Sequence, residues 1–214
     1  TLAGLTLDVI GLHAAFAERG RAPRGILDVR HFRVDGGSQL AICGPSGSGK
    51  TTLLHLFAGL ERPQRGIVRW GEVEVSALPD HGADRWRRET VGLVFQQFHL
   101  FPGLSALDNV LLPLRFDRWS IEPAMRARAL KLLERVGVHP EGEVMTLSRG
   151  EQQRVAVARA LLRGPAIVLA DEPTASLDRE TARIVADLLS AMCRGANATL
   201  IVTTHDPALA SRLD

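Results

Sequence analysis

A chain of 214 residues that is 45% apolar and 23% charged can build one large core, and its composition excludes a disordered or fibrous protein. A formal net charge of +2 is too small to hold a polyanion, which argues against nucleic acid as a partner. Two cysteines, Cys43 and Cys193, make no disulfide framework, and no apolar run reaches the roughly 18 residues of a membrane-spanning helix. The longest run, Val155 to Ala170, is broken by Arg159, Arg163 and Pro165. The first residues lack the basic start and apolar stretch of a secretory signal.

In chain order, residues 5–42 alternate weakly and contain Gly36-Gly37, which predicts antiparallel strands joined by turns. Leu40 to Cys43 reads as a short buried strand, with Cys43 as a small core residue suited to a reducing compartment. A glycine-rich turn follows, and then a helix from Thr52 that Gly59 is placed to end. Residues 66–75 repeat the antiparallel pattern, and Val91 to Phe95 is a compact apolar strand. After Gln96 the period becomes helical as far as Gly150, with loops at Pro102-Gly103 and Pro140-Glu141-Gly142. Residues 120–136 predict a helix starting at Ser120, with Glu122 and Pro123 in its first turn and Met125, Ala129, Leu132, Leu133 and Val136 on one side. Helix, strand, helix and strand then follow over 150–163, 166–170, 179–193 and 198–204. That alternation predicts a mostly parallel sheet with crossovers. The expected fold is therefore one α/β domain over 1–214. Residues 1–95 and 155–214 form its core, with an antiparallel β-subdomain near the N-terminus, and residues 96–154 form an inserted helical subdomain.

The glycine-rich turn carries the first chemistry. Gly44-Pro45-Ser46-Gly47-Ser48-Gly49-Lys50-Thr51 fits the phosphate-loop pattern G-x-x-x-x-G-K-[ST]. Its glycines let consecutive backbone N–H groups turn inward as a cradle for phosphate oxygens, and the following helix dipole favours the same anion. Lys50 reaches for the terminal phosphates, and the Thr51 hydroxyl is placed to ligate Mg²⁺. A chance match on a surface turn has odds of roughly one per cent in a chain this long, before the flanking strand and helix are counted. Ala166 to Glu172 is an apolar strand that delivers two carboxylates at its C-terminal end, where open parallel sheets bind ligands. Asp171 suits Mg²⁺ held through water, and Glu172 suits a group that polarises an attacking water. An ordinary strand ending in a polar turn at Pro173 is the bland alternative. Leu147-Ser148-Arg149-Gly150-Glu151-Gln152-Gln153-Arg154 opens another helix. Ser148 there is either a plain helix cap or part of a second anion-binding helix N-terminus, and capping alone is a complete account.

Taken in order, Gly44–Thr51, Gln96 after Val94-Phe95, Leu147–Arg154, Ile167–Glu172, Ser176-Leu177-Asp178 and Thr203-Thr204-His205-Asp206 resemble the nucleotide-binding subunit of ATP-binding-cassette (ABC) transporters along essentially the whole chain. Phe95 to Leu100, Ala106 to Val110 and Leu112-Pro113-Leu114 look most like the lipoprotein-releasing, macrolide-efflux and cell-division branch. The resemblance implies a phosphate-loop ATPase that uses ATP and Mg²⁺. It also implies a second such subunit, an integral-membrane permease, and a peripheral place on the cytoplasmic face of the inner membrane. Gly44 through Thr51, with Thr52, would hold the nucleotide. Gln96 would touch Mg²⁺ and the attacking water and form a hinge into the helical region. Ser148 and Gly150, with Glu151 beside them, would contact ATP held by the opposite protomer. Asp178 would couple the two sites, His205 would touch the γ-phosphate and orient Glu172, and Phe16 would stack on adenine where the family often has Tyr. Two other classes share this ATP chemistry: soluble ATPases acting on DNA or the ribosome, and cassettes that regulate a membrane partner mechanically. The first usually carries coiled-coil insertions or tandem cassettes, and this chain has neither. Three departures stand out. Arg149 replaces the usual first glycine of the signature, where a side chain either obstructs the phosphate or points away. The segment 139–146 is short, and the chain ends soon after His205.

Overall fold

The computed structural model describes residues 3–16, 24–116 and 120–211. Two four-stranded sheets organise it. Strands β1 (Leu7–Phe16), β2 (Arg24–Val34), β4 (Arg65–Trp70) and β5 (Val73–Glu74) form an antiparallel sheet in the order β2-β1-β4-β5. Strands β3 (Gln39–Cys43), β6 (Val91–Val94), β7 (Ile167–Asp171) and β8 (Thr199–Thr204) form a parallel sheet in the order β3-β8-β7-β6. The helices are α1 (Lys50–Phe57), α2 (Asp80–Thr90), α3 (Ala106–Arg115), α4 (Pro123–Arg135), α5 (Arg149–Leu161), α6 (Arg179–Ala196) and the short α7 (Pro207–Ala210).

Strands β7 and β8 are buried at every position, which is why Ile167–Ala170 and Leu200–Val202 are continuous apolar stretches rather than alternating ones. Their side chains still alternate between two cores. Ile167, Leu169 and Ile201 pack with Leu7, Val9, Phe57 and Trp70 beneath the antiparallel sheet and α1. Val168, Ala170, Leu200 and Val202 pack with Leu111, Leu133, Val155 and Val157 beneath the helices. One sheet therefore separates and joins both cores, and its C-terminal edge is fixed from two sides.

Local signals explain the element ends. Gly59, at φ 63°, closes α1: its N–H donates to the Leu56 carbonyl and that of Leu60 to the His55 carbonyl. Arg87 of α2 then donates to the Ala58 and Gly59 carbonyls, placing a cation on the negative end of α1. Two expectations need correcting, and one helix gives no local signal. Helix α4 begins at Pro123 with Glu122 as its cap residue, not at Ser120, because a residue before proline is forced into the extended region (Glu122 ψ is 138°). Helix α2 went unread because it has no side-chain cap and buries only Ala83 and Thr90. Cys43 is exposed, because β3 borders the parallel sheet and its last residue faces outward; Cys193 is the buried thiol, with its pKa pushed up to about 12 by desolvation.

Candidate active site

The phosphate loop runs from the end of β3 into the first residue of α1. Gly49 occupies the left-handed region at φ 91° as the helix cap, and a Cβ on Gly44 would lie 2.8 Å from Ser48 Oγ. Within the loop, Lys50 is only 7% exposed. Its Nζ donates to the Gly44 and Pro45 carbonyls, each at 2.9 Å, and stands 3.3 Å from Glu172 Oε1. The ammonium is thus folded back across the mouth of the cradle.

Parallel pairing sets Asp171 of β7 against Thr203 of β8. Thr203 Oγ1 donates to Asp171 Oδ1 at 2.5 Å, and Thr51 Oγ1 donates to Oδ2 at 2.8 Å. Each carboxylate oxygen therefore has its own hydroxyl partner, and Asp171 is 8% exposed. Glu172 leaves the strand at φ 43°, unusual for a residue with a side chain, and its N–H donates to the Thr203 carbonyl at 3.0 Å. The turn aims its carboxylate between the Lys50 ammonium on Oε1 and the His205 imidazole, whose Nδ1 lies 2.7 Å from Oε2. Among the described residues no group of three or more His, Cys, Asp or Glu side chains is arranged to hold a metal ion. The neighbouring Thr51 hydroxyl and Asp171 carboxylate are two hard oxygen donors. That set fits Mg²⁺, which keeps most of its waters and takes further oxygens from phosphates.

Gln96 is exposed just past Val94, whose partner in the sheet is Ala170, so it sits on the same edge as Asp171. Ser148 caps α5 in a reciprocal box. Its N–H and hydroxyl donate to Glu151 Oε2 at 2.9 and 2.7 Å, and Glu151 N–H donates back to Ser148 Oγ at 3.3 Å. Those hydrogen bonds hold the Glu151 carboxyl below its ordinary range. Gly150 is buried, and a Cβ there would overlap Thr181 Cγ2 of α6. Asp178 caps α6 by accepting from Glu180 and Thr181 N–H at 3.1 and 3.0 Å, and its carboxyl pKa is lowered, first by the side-chain hydrogen bond with Thr181 and then by the backbone bonds. The signature turn and Asp178 make no hydrogen bond to Lys50, Asp171, Glu172 or His205. The side chain of Phe16 lies outside the described residues. Sequence reasoning passed over Thr203, whose hydroxyl orients Asp171 and meets it only through the pairing of β7 with β8.

The chain is similar to known proteins along most of its length. The ABC transporter family model matches residues 27–175, and a shorter match to an AAA domain spans residues 140–211. The lipoprotein-releasing system ATP-binding protein LolD of Legionella pneumophila (strain Paris) is 42% identical over 180 residues, covering 83% of this chain and 79% of that protein. LolD of Anaeromyxobacter dehalogenans is 45% identical over 186 residues, covering 85% and 77%. A dimeric structure of MJ0796, described as a bacterial ABC transporter cassette, superposes with a TM-score of 0.86 at 35% identity over 97% of this chain and 91% of that one. A second dimeric structure of MJ0796, in a post-hydrolysis state bound to ADP and Pi, gives 0.85 at 35% identity over 95% and 90%.

Proposed function

This chain belongs to the ABC transporter family as an ATP-hydrolysing subunit, and from that premise we propose which residues perform each step and what the ATP drives. The observation that carries the assignment is the Glu172 carboxylate held between Lys50 and His205, one residue past Asp171 and against the phosphate loop. Gly44 to Thr52 hold the nucleotide. An arriving phosphate competes with Glu172 for Lys50, so binding transfers the ammonium from the carboxylate to the phosphate oxygens. Thr51 and Asp171, with Gln96 from the neighbouring strand end, would hold Mg²⁺, which would supply positive charge to neutralise the phosphates. Glu172, released from Lys50 but still fastened to His205, polarises the attacking water and accepts its proton. Its strained turn and fixed neighbours mean that little reorganisation is needed at the moment of reaction.

Ser148, Gly150 and Glu151 serve the nucleotide of a second copy or a homologous subunit, with Asp178 linking the two sites. The dimeric state of the MJ0796 cassettes supports this, as does the lack of any bond from the signature turn to its own site. Residues 96–154 move as a unit against the core. A groove of about 610 Å³ opens beside the Gln96 loop, lined by Phe101, Leu112, Pro113 and Phe116 together with Arg87 and Arg159. Phe101 and Phe116 are 51% and 78% exposed there, an apolar rim suited to an integral-membrane permease. No helix among the described residues is long and apolar enough to cross a membrane, so attachment to the cytoplasmic face of the inner membrane runs through that partner. The names of the LolD relatives support a lipoprotein-releasing system as the machine it powers.

Lys50→Ala tests the core of this reading. Turnover of ATP should fall at least about a hundredfold, roughly 2.7 kcal/mol of barrier, while the melting temperature stays near wild type. Near-normal turnover in the folded variant would reassign the site. Identifying the membrane protein that copurifies with the chain tests the partner.

A further inference from the structure

Arg149 breaks the family signature, and its side chain is engaged within its own chain. Its guanidinium carbon lies over the Phe98 ring, 5.3 Å from the centroid, within cation–π range. Phe98 is 8% exposed and stands two residues after Gln96. Farther along the same helix, Arg159 donates Nη2 to the Phe98 carbonyl and Nη1 to the His99 carbonyl, both at 2.6 Å. His99, at φ 47°, also packs edge-on against Phe95 with centroids 5.2 Å apart. The segment from Phe95 to His99 is therefore fastened to α5 twice: at the N-terminal turn through a ring, and toward the C-terminus through backbone carbonyls. A glycine at position 149 would leave only the second fastening.

We propose that Arg149 is a positioning residue that, by resting on Phe98, latches the Gln96 loop to the signature turn so that the two move as one piece. It rests on the reading of Gln96 as a residue that reaches Mg²⁺ and the attacking water. The departure from glycine is on this account a fastening and not an obstruction, and it makes closure of the signature on a partner's nucleotide and placement of Gln96 a single event.

The test uses the full chain, with amide hydrogen exchange of the nucleotide-free protein and steady-state ATP hydrolysis read side by side. A cation over an aromatic ring at an exposed site corresponds to a roughly two- to five-fold effect. Arg149→Gly should speed exchange at residues 96–99 by about that factor, leaving β7 and α6 unchanged. It should also lower kcat by a similar factor at constant KM for ATP. Phe98→Leu should do the same, and the double variant should be no worse than the poorer single one. Arg149→Lys and Phe98→Tyr, which keep a cation and a ring, should recover much of the loss. Additive losses, unchanged exchange, faster exchange with unaltered kcat, or a rise in turnover for Arg149→Gly would each overturn the latch. Lys50→Ala, run in parallel, separates the two claims: if it stays active the assignment of the ATP site fails, while the exchange data still judge the latch.

Discussion

Gly150 does two jobs at the scale of one residue, and they are separable. It lets α5 lie against α6, because a Cβ would overlap Thr181 Cγ2, and the proposed phosphate contact asks for the same bareness. Gly150→Ala should destabilise the chain by about 1–3 kcal/mol through overpacking, a melting-temperature drop of roughly 2–12 °C for a chain of this size. Thr181→Ser removes the Cγ2 methyl and keeps the hydroxyl, so the double variant should regain most of that loss. If thermal unfolding shows the rescue and ATP turnover remains low, the glycine is also needed at the nucleotide. If turnover returns with stability, packing alone explains it.

At the scale of elements, the ends of α5 and α6 are set by charged caps whose protonation can be followed. Glu151 and Asp178 both have lowered pKa values in the folded chain, caused first by the side-chain hydrogen bonds with Ser148 and with Thr181 respectively. A carboxyl whose folded pKa lies below its unfolded one contributes stability that is fully present above about pH 4 and is lost as pH falls through the folded value. Ser148→Ala should cost about 1 kcal/mol at pH 7. It should move the Glu151 titration, followed by NMR, up toward the ordinary carboxylate range, and the stability gap to wild type should narrow below about pH 4. An unmoved Glu151 titration would mean that the box does not hold in solution. These same caps explain what the sequence revealed. Ser148 was legible locally as a cap and the phosphate loop through its glycines, whereas the return bond from Glu151 emerges only in the structure. The parallel sheet followed from strands alternating with helices over residues 150–204. Helix α2 offered no such signal, since it is amphipathic only through Ala83, Thr90 and a half-buried Trp86. The start of α4 was misplaced because Ser120 resembles a cap, whereas Pro123 decides the backbone. Contacts of long sequence separation were invisible: Arg149 meeting Phe98, and Thr203 turning its hydroxyl onto Asp171, exist only once α5 and the sheet are assembled.

At the scale of the whole molecule, the question is how hydrolysis would open what binding closes, and in the proposed mechanism Glu172 is where the two are joined. In the isolated chain Lys50 is balanced by Glu172, so the mouth of the phosphate loop carries an internal ion pair. When ATP enters, the Glu172 carboxylate is left facing phosphate oxygens of like charge. Two such charges about 4 Å apart at a partly exposed site repel by up to roughly 4 kcal/mol. Glu172→Gln keeps the size and the hydrogen bond to His205 but removes the charge and the capacity to accept a proton. It should therefore bind ATP at least as tightly as wild type, hydrolyse it at least about a hundredfold more slowly, and stay closed. With ATP and Mg²⁺, size-exclusion chromatography with light scattering should give a species of twice the 23.2 kDa of one chain, which disappears with ADP. A variant that remains monomeric in ATP would remove the dimer from the mechanism. One that turns over like wild type would remove Glu172 from it, and the group that activates water would then have to be sought among His205 and Gln96, the other residues at this end of the sheet.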